Sequence, residues 1–153
     1  MITEELAEKI KTLSSIRQKN EELLSEYLSE INDKIKDVDL QGRWPQVVFA
    51  KNKHFEYVLK LIRLWVNEED EDKIKPQTCL EIVLRNRVDG HEIDFIPDDE
   101  CMKRIVDNLI PGLQKLADEL RVHIETAHDA WEKLYRMVDV LRTHKEVEKV
   151  MRR

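Results

Sequence analysis

The stretch Leu80–Phe95, L-E-I-V-L-R-N-R-V-D-G-H-E-I-D-F, decides the fold because two structures fit it. As a helix that follows Pro76, it buries one apolar face and ends at Gly90, which tolerates the left-handed conformation of a helix C-terminus. As a strand pair, it alternates apolar and polar residues and turns at Asp89-Gly90, giving a short β-hairpin over residues 79–96. A lone hairpin needs a surface on which to pack. Since the rest of the chain predicts helices, we favour the helix and keep the hairpin as the alternative.

The amino-acid composition favours a single helical domain. The chain has 153 residues, of which 38% are charged, with 3 Gly and 4 Pro. A chain of this length buries about two-thirds of the surface that its unfolded form exposes. Many charges with few turn formers are typical of long solvated helices. We therefore expect one all-α domain that covers residues 1–153.

Apolar residues recur at helical spacing before the ambiguous stretch. The first helix is predicted from Ile2 to about Asp37, with Thr3 as its N-cap. A second helix, from about Pro45 to Val66, is apolar over much of its circumference and is expected at the core. The first part of the chain therefore predicts two long helices.

The chain after the stretch predicts two more helices. Asp98 is expected to cap a short helix that ends at Leu109, and Pro111-Gly112 is expected to kink or break the helical run there. From about residue 112 to 150, apolar residues alternate in steps of four and three, the spacing of a helix that packs along another helix. The expected architecture is an antiparallel bundle of four to five helices with long first and last helices. The last helix is expected to extend into an oligomer interface.

Charge, cysteine content and hydropathy exclude several classes of protein. A net charge of -6 argues against binding duplex DNA, because neutralising phosphates needs many basic residues on one surface. No apolar run approaches the roughly 18 residues of a membrane span. Cys79 and Cys101 have no CxxC spacing and follow no secretory segment, which favours reduced thiols. We expect a cytoplasmic protein that does not contact a membrane.

Arg85, Asn86 and His91 are the main candidates for chemistry. A histidine with a pKa near 6.5 exchanges protons with hydroxyl groups, and an arginine holds a phosphate through two parallel hydrogen bonds. This pairing suits cleavage of a phosphodiester. A polar segment without catalytic function fits the same residues, because about one Arg-to-His pair at this spacing is expected by chance in a chain of this composition.

Two further sets of residues contain possible metal ligands but do not complete the pattern of a metal site. Glu125 and His128 have the Glu-x-x-His spacing of carboxylate-bridged metal centres, with His123 nearby, but the chain has no second such element. His54 and Glu56 have no evident ligand partners. We expect neither a metal nor a cofactor.

Part of the chain resembles the HEPN superfamily, whose domains are bundles of four or five helices. The resemblance lies in L-R-N-R-V-D-G-H, residues 84–91, followed by an acidic helix start and the amphipathic run C-M-K-R-I-V-D-N-L-I-P-G-L-Q-K-L, residues 101–116. The motif of that family is an Arg, often followed by Asn, Asp or His, with four to six residues before a His. Arg85, Asn86 and His91 match it. The resemblance covers roughly residues 55–120.

The resemblance implies a homodimer that acts on RNA. It implies a metal-independent endoribonuclease of an antiviral defence or toxin–antitoxin system, with an antitoxin as a further partner. His91 would then act as general acid or base at the ribose 2′-hydroxyl, Arg85 would stabilise the charged phosphorane, and Asn86 would orient one of them. Many proteins of this family only bind RNA or partners.

A second class of function fits the same sequence. A non-enzymatic helical assembly or adaptor protein would use the long C-terminal helix, centred on Trp131, to bind its partner. Exposed apolar positions along residues 134–150 would favour this function. Loss of RNA cleavage after replacing Arg85 and His91 by Ala would favour the ribonuclease.

Overall fold

An antiparallel β-sheet occupies the middle of the chain, where we predicted helices. The computed structural model describes residues 3–40, 42–67, 74–123 and 128–151. The described residues form α1 (Glu4–Ile35), β1 (Gln46–Lys51), β2 (Phe55–Asn67), β3 (Ile74–Asn86), β4 (Glu92–Ile93), α2 (Asp99–His123) and α3 (His128–Met151). The sheet order is β1-β2-β3-β4, and each neighbouring pair is antiparallel. The predicted all-α bundle of four to five helices is therefore wrong, and the fold is mixed α and β.

The predicted second helix is two strands, because its apolar residues lie on both faces of a sheet. Tyr57, Leu59 and Leu61 alternate along β2 and are buried in the core that the helices share. Val58 and Val83 pair across β2 and β3 and are also buried, on the opposite face. Burial on both faces produces a nearly continuous apolar run, which resembles a buried helix in sequence.

Residues 79–96 form the hairpin that we kept as the alternative, and the favoured helix is wrong. In the hairpin, Arg85 of β3 pairs with Glu92 of β4. Gly90 has φ of +74°, the left-handed conformation that a turn here requires. The hairpin is not isolated, since β2 pairs with β3 along the whole of its length.

The helix starts predicted at Thr3 and Asp98 are confirmed, whereas those predicted at Pro45 and near residue 112 are wrong, and the helix does not break at Pro111-Gly112. The backbone N–H of Leu6 donates to the Thr3 hydroxyl at 3.2 Å, and that of Cys101 donates to an Asp98 carboxylate oxygen at 2.8 Å. Helix α2 continues through Pro111. At Gly112, a Cβ atom would lie 2.6 Å from the Cβ of Phe49, so glycine allows β1 to approach the helix closely.

The apolar repeat predicted for one long last helix is divided between α2 and α3. The connection at residues 124–127 lies outside the described residues. The two helices run antiparallel, because Asp118 accepts a hydrogen bond from the Tyr135 hydroxyl while Arg121 lies over the ring of Trp131. The repeat therefore packs largely on itself within one chain.

Candidate functional site

Arg85 lies within a network of ion pairs on the sheet. Its guanidinium is 3.1 Å from one carboxylate oxygen of Glu92 and 3.9 Å from Glu56. The other oxygen of Glu92 accepts a hydrogen bond from the Lys60 ammonium at 2.6 Å. That hydrogen bond is the main cause that holds the pKa of Glu92 below its usual range. Glu56 and Glu92 thus already neutralise the Arg85 guanidinium, whose positive charge the binding of a phosphate would require.

Asn86 and His91 belong to the turn of the same hairpin. The Asn86 side-chain oxygen accepts from the backbone N–H of Val88 at 2.8 Å, and its own backbone N–H donates to the His91 carbonyl at 2.8 Å. Arg85 and Asn86 are consecutive in a strand, so their side chains lie on opposite faces of the sheet. Among the described residues, no hydrogen bond or ion pair joins Arg85 to His91. Their assignment as catalytic residues stays a prediction.

The second candidate set does not assemble a metal site within the described residues. Glu125 and the side chain of His123 lie outside the part of the chain that the structure describes. His128 is 3.4 Å from the Glu132 carboxylate and packs against the ring of Trp131, with 4.4 Å between ring centroids. In the described ranges, no group of three or more His, Cys, Asp or Glu side chains is arranged to hold a metal ion.

Helix α1 carries one apolar stripe along its whole length. The sequence continues the same alternating spacing of three and four from Leu6 to Ile31, with polar residues at two positions near the middle. The second half of the stripe is core, because Leu24, Tyr27 and Ile31 are buried. Its first half is not: Leu6 is 47% exposed and Ile10 is 50% exposed. The stripe's positions are Leu6, Ile10, Leu13, Arg17, Asn20, Leu24, Tyr27 and Ile31.

We call residues 4–16 the arm, because this half of α1 projects from the rest of the protein. Every side chain described between Thr3 and Ile16 is exposed. At 1.5 Å per residue, the arm is about 20 Å long. The body begins at Arg17, which forms ion pairs with Asp99 in the first turn of α2 and with Glu21. Hydrogen bonds to Glu21 and Asp99 raise the pKa of Arg17, so this junction stays charged.

A groove lies between the three helices, next to the point where the arm leaves the body. It encloses about 350 Å³. We call it the helical groove, and its α1 wall includes Ile16, the last residue of the arm. Its apolar lining includes Leu23, Val106 and Ile110, its cationic lining is Lys19, Lys145 and Lys149, and two carboxylates, Asp107 and Glu148, also line it.

Exposed apolar side chains also cluster at the end of α3 and at the far end of the β2–β3 hairpin. At the end of α3, Val147 is half exposed and Met151 is 82% exposed. At the far end of the β2–β3 hairpin, Leu64 and Ile74 are exposed and Trp65 is 72% exposed. The first place includes Val147, which lies in the range 134–150, where exposed apolar positions would favour an assembly protein.

Comparisons of the chain with models of known families, with curated proteins and with solved structures found no match. Within the described residues, no helix has both the length and the apolar character that crossing a bilayer requires. The candidate residues that sequence reasoning missed are the exposed apolar side chains of the arm. Their signal was present in the polar interruption of the stripe at Arg17 and Asn20, which separates an anchored half from a free one.

Proposed function

We propose that the protein is a non-enzymatic assembly protein, which joins protein chains through the apolar stripe of its arm. The observation that carries this proposal is the exposure of Leu6 and Ile10 on a helix whose next turns are buried in the core. A helix with an amphipathic pattern normally buries its apolar face against another element. The described residues of this chain provide no such element for the arm.

The energetics favour association through this surface. Fully burying one Leu or Ile side chain contributes about 1.5–3 kcal/mol. An isolated helix of about 12 residues is marginal in water because its first turn is costly to form. Here the buried half of α1 supplies that first turn, so the arm is presented to a partner already helical. Less conformational entropy is then lost on binding.

The geometry supports the expected RNA-binding ribonuclease less well. Arg85 is compensated by Glu56 and Glu92, and Asn86 builds a turn. The helical fold that the HEPN resemblance implied is not the fold of the described residues. The resemblance itself stays a prediction from a few positions.

The test compares the mass of the wild type with that of the variant L6S/I10S by sedimentation equilibrium over a wide concentration range. We expect the wild type to form an oligomer and the variant to dissociate. At protein concentrations low enough for both to be monomers, their melting temperatures should be the same. The matched control is L64S/I74S, which replaces the same two residue types at exposed positions of the hairpin. A wild type that stays a monomer, or an oligomer that L6S/I10S leaves intact, would contradict the proposal.

A nuclease assay tests the competing function on the same samples. We expect no RNA cleavage by the wild type with or without divalent metal. Cleavage that disappears in R85A/H91A, but persists in L6S/I10S, would overturn the assembly function in favour of the ribonuclease.

A further inference from the structure

We propose that the partner of the arm is a second copy of this chain, bound antiparallel, so that the first turns of each arm lie in the helical groove of the other copy. This inference rests on the proposed function and names its partner. It follows from the position of the groove, the spacing of the stripe and the distribution of charge.

The groove lies where a helix packed on the arm would reach the body. Its α1 wall is formed by Ile16, Lys19, Asn20, Leu23 and Tyr27, which run from the last residue of the arm into the buried half of the stripe. A second helix that packs on Leu6 and Ile10 in the antiparallel direction therefore has its N-terminal end at the groove. The free end of the partner's arm is then the part that enters it.

The spacing of the stripe defines a register for this contact. In an antiparallel pair, the a positions of one helix pack beside the d positions of the other. In the register that places Leu6 of one copy opposite Arg17 of the other, Glu4 lies opposite Lys19. Arg17 is held by Asp99, so its aliphatic stem offers Leu6 an apolar surface while its charge stays compensated. The two-fold axis repeats each contact, as a closed dimer requires.

The charges of the arm and the groove are complementary. The first two turns of α1 contain Glu4, Glu5 and Glu8 against one lysine, Lys9, so they are net negative. The groove presents three lysines against two carboxylates, which leaves it net positive. An antiparallel pair brings the acidic turns to these lysines. A parallel pair would instead place the acidic turns of both copies side by side, which is unfavourable.

The position of the lysines favours a helix end as the occupant of the groove. Lys145 and Lys149 lie one turn apart on α3 and face Lys19 across the groove, around the apolar lining from Leu23 and Val106. In this register the incoming turn brings Leu6 beside Ile16 at the mouth of the groove and Glu4 to Lys19, so it supplies both chemical types at the same place. The pairing is thus apolar at its centre and ionic at its rim.

The test is a complementary charge reversal, with the dissociation constant measured by sedimentation equilibrium. The first variant is E4K/E5K/E8K, which reverses the arm, and the second is K19E/K145E/K149E, which reverses the groove. We expect each alone to dimerise about tenfold or more weakly than the wild type. An equimolar mixture should regain the wild-type affinity, because each copy then supplies the charge that the other needs at both contacts.

A control variant separates this effect from net charge. K34E/K53E/K103E changes the net charge by the same amount and in the same direction as the groove variant, but at exposed positions outside the groove. It should dimerise like the wild type. Circular dichroism and the melting temperature identify any variant that fails to fold. In that case the single reversals E4K and K149E, with their mixture, replace the triple ones.

The outcomes separate this inference from the proposed function. Dissociation in L6S/I10S without recovery in the mixed charge variants overturns the antiparallel pairing and leaves the assembly function standing. A groove-reversed variant that still dimerises like the wild type, as a parallel pair would, also overturns it. A wild type that is a monomer at every concentration overturns both.

Discussion

The two halves of α1 have the same apolar spacing and opposite surroundings. In the second half, Leu24, Tyr27 and Ile31 complete the core between the sheet and the other helices. In the first half, Leu6 and Ile10 repeat the pattern but are about half exposed. The comparison shows that the apolar spacing defines a helix face that is suited to burial. The rest of the fold decides whether the same chain buries that face.

The largest expected difference between the halves is in the cost of one identical substitution. Ile31→Ala should lower the free energy of unfolding by about 2–5 kcal/mol, because it leaves a cavity in a fully buried site. Ile10→Ala should change it by less than about 0.5 kcal/mol in the monomer, because that side chain is half exposed. Urea unfolding at low protein concentration measures both. Equal losses would show that the arm is packed against the body.

A pair of proline substitutions breaks the helix on either side of the junction. Ser25→Pro, in the buried half, should cost about 3 kcal/mol or more, because this part of α1 carries Leu24 and Tyr27 of the core and cannot unfold locally without exposing them. Ser15→Pro, at the base of the arm, should leave global unfolding unchanged, since the arm unfolds locally instead. It should nevertheless abolish association. Circular dichroism, thermal unfolding and sedimentation measure these effects. A large drop in melting temperature for Ser15→Pro would contradict the independence of the arm.

The sequence correctly predicted where α1 and α2 start, but it did not predict the sheet as a whole. Thr3 and Asp98 marked helix starts because capping chemistry is local and readable. The segment from Pro45 to Val66 was mistaken for a helix because strands buried on both faces lose the alternation that identifies them. This error caused the next one: with β2 assigned to a helix, the hairpin at 79–96 appeared to have nothing on which to pack.

The catalytic assignment of Arg85, Asn86 and His91 stays a prediction, and its structural basis in the sequence was wrong. We expected these residues at the end of a helix, whereas Arg85 and Asn86 end β3 and His91 directly precedes β4. The sequence could not show that Glu56 and Glu92 would pair with Arg85, or that Lys60 would pair with Glu92, because these contacts depend on the register of three strands. Nor could it show which half of α1 the body covers, since that depends on where α2 begins and α3 ends.

The junction between the halves should matter only slightly for stability. Arg17→Ala removes ion pairs with Asp99 and Glu21 whose side chains are 40–54% exposed, so we expect a loss of up to about 1 kcal/mol. The matched control is Arg142→Ala, an exposed arginine of α3, for which we expect no change. Urea unfolding at low and high salt measures both. A loss that salt does not reduce would mean that the junction is held by packing rather than by charge.

The smallest expected effect is a loss of stability at alkaline pH, to which Tyr27 of the buried half of α1 contributes. Burial raises the pKa of the Tyr27 phenol. Below about pH 10, tyrosine is neutral in both states, so this group has no effect there. As the pH rises further, the unfolded chain ionises first, and stability falls until the folded pKa is reached. Tyr27→Phe should reduce this fall. Some of it should remain, because burial also raises the pKa of Tyr57. An identical decline in Tyr27→Phe would contradict the burial of this phenol.

Hydrogen exchange of the α1 backbone amides tests most directly the claim that the arm is a surface awaiting a partner chain. At high protein concentration, we predict slow exchange for residues 7–11 of the arm, and fast exchange after dilution or in L6S/I10S. The amides of residues 31–35 should exchange slowly in every case. Arm amides whose exchange rate is the same at all concentrations, and is unaffected by L6S/I10S, would contradict the claim.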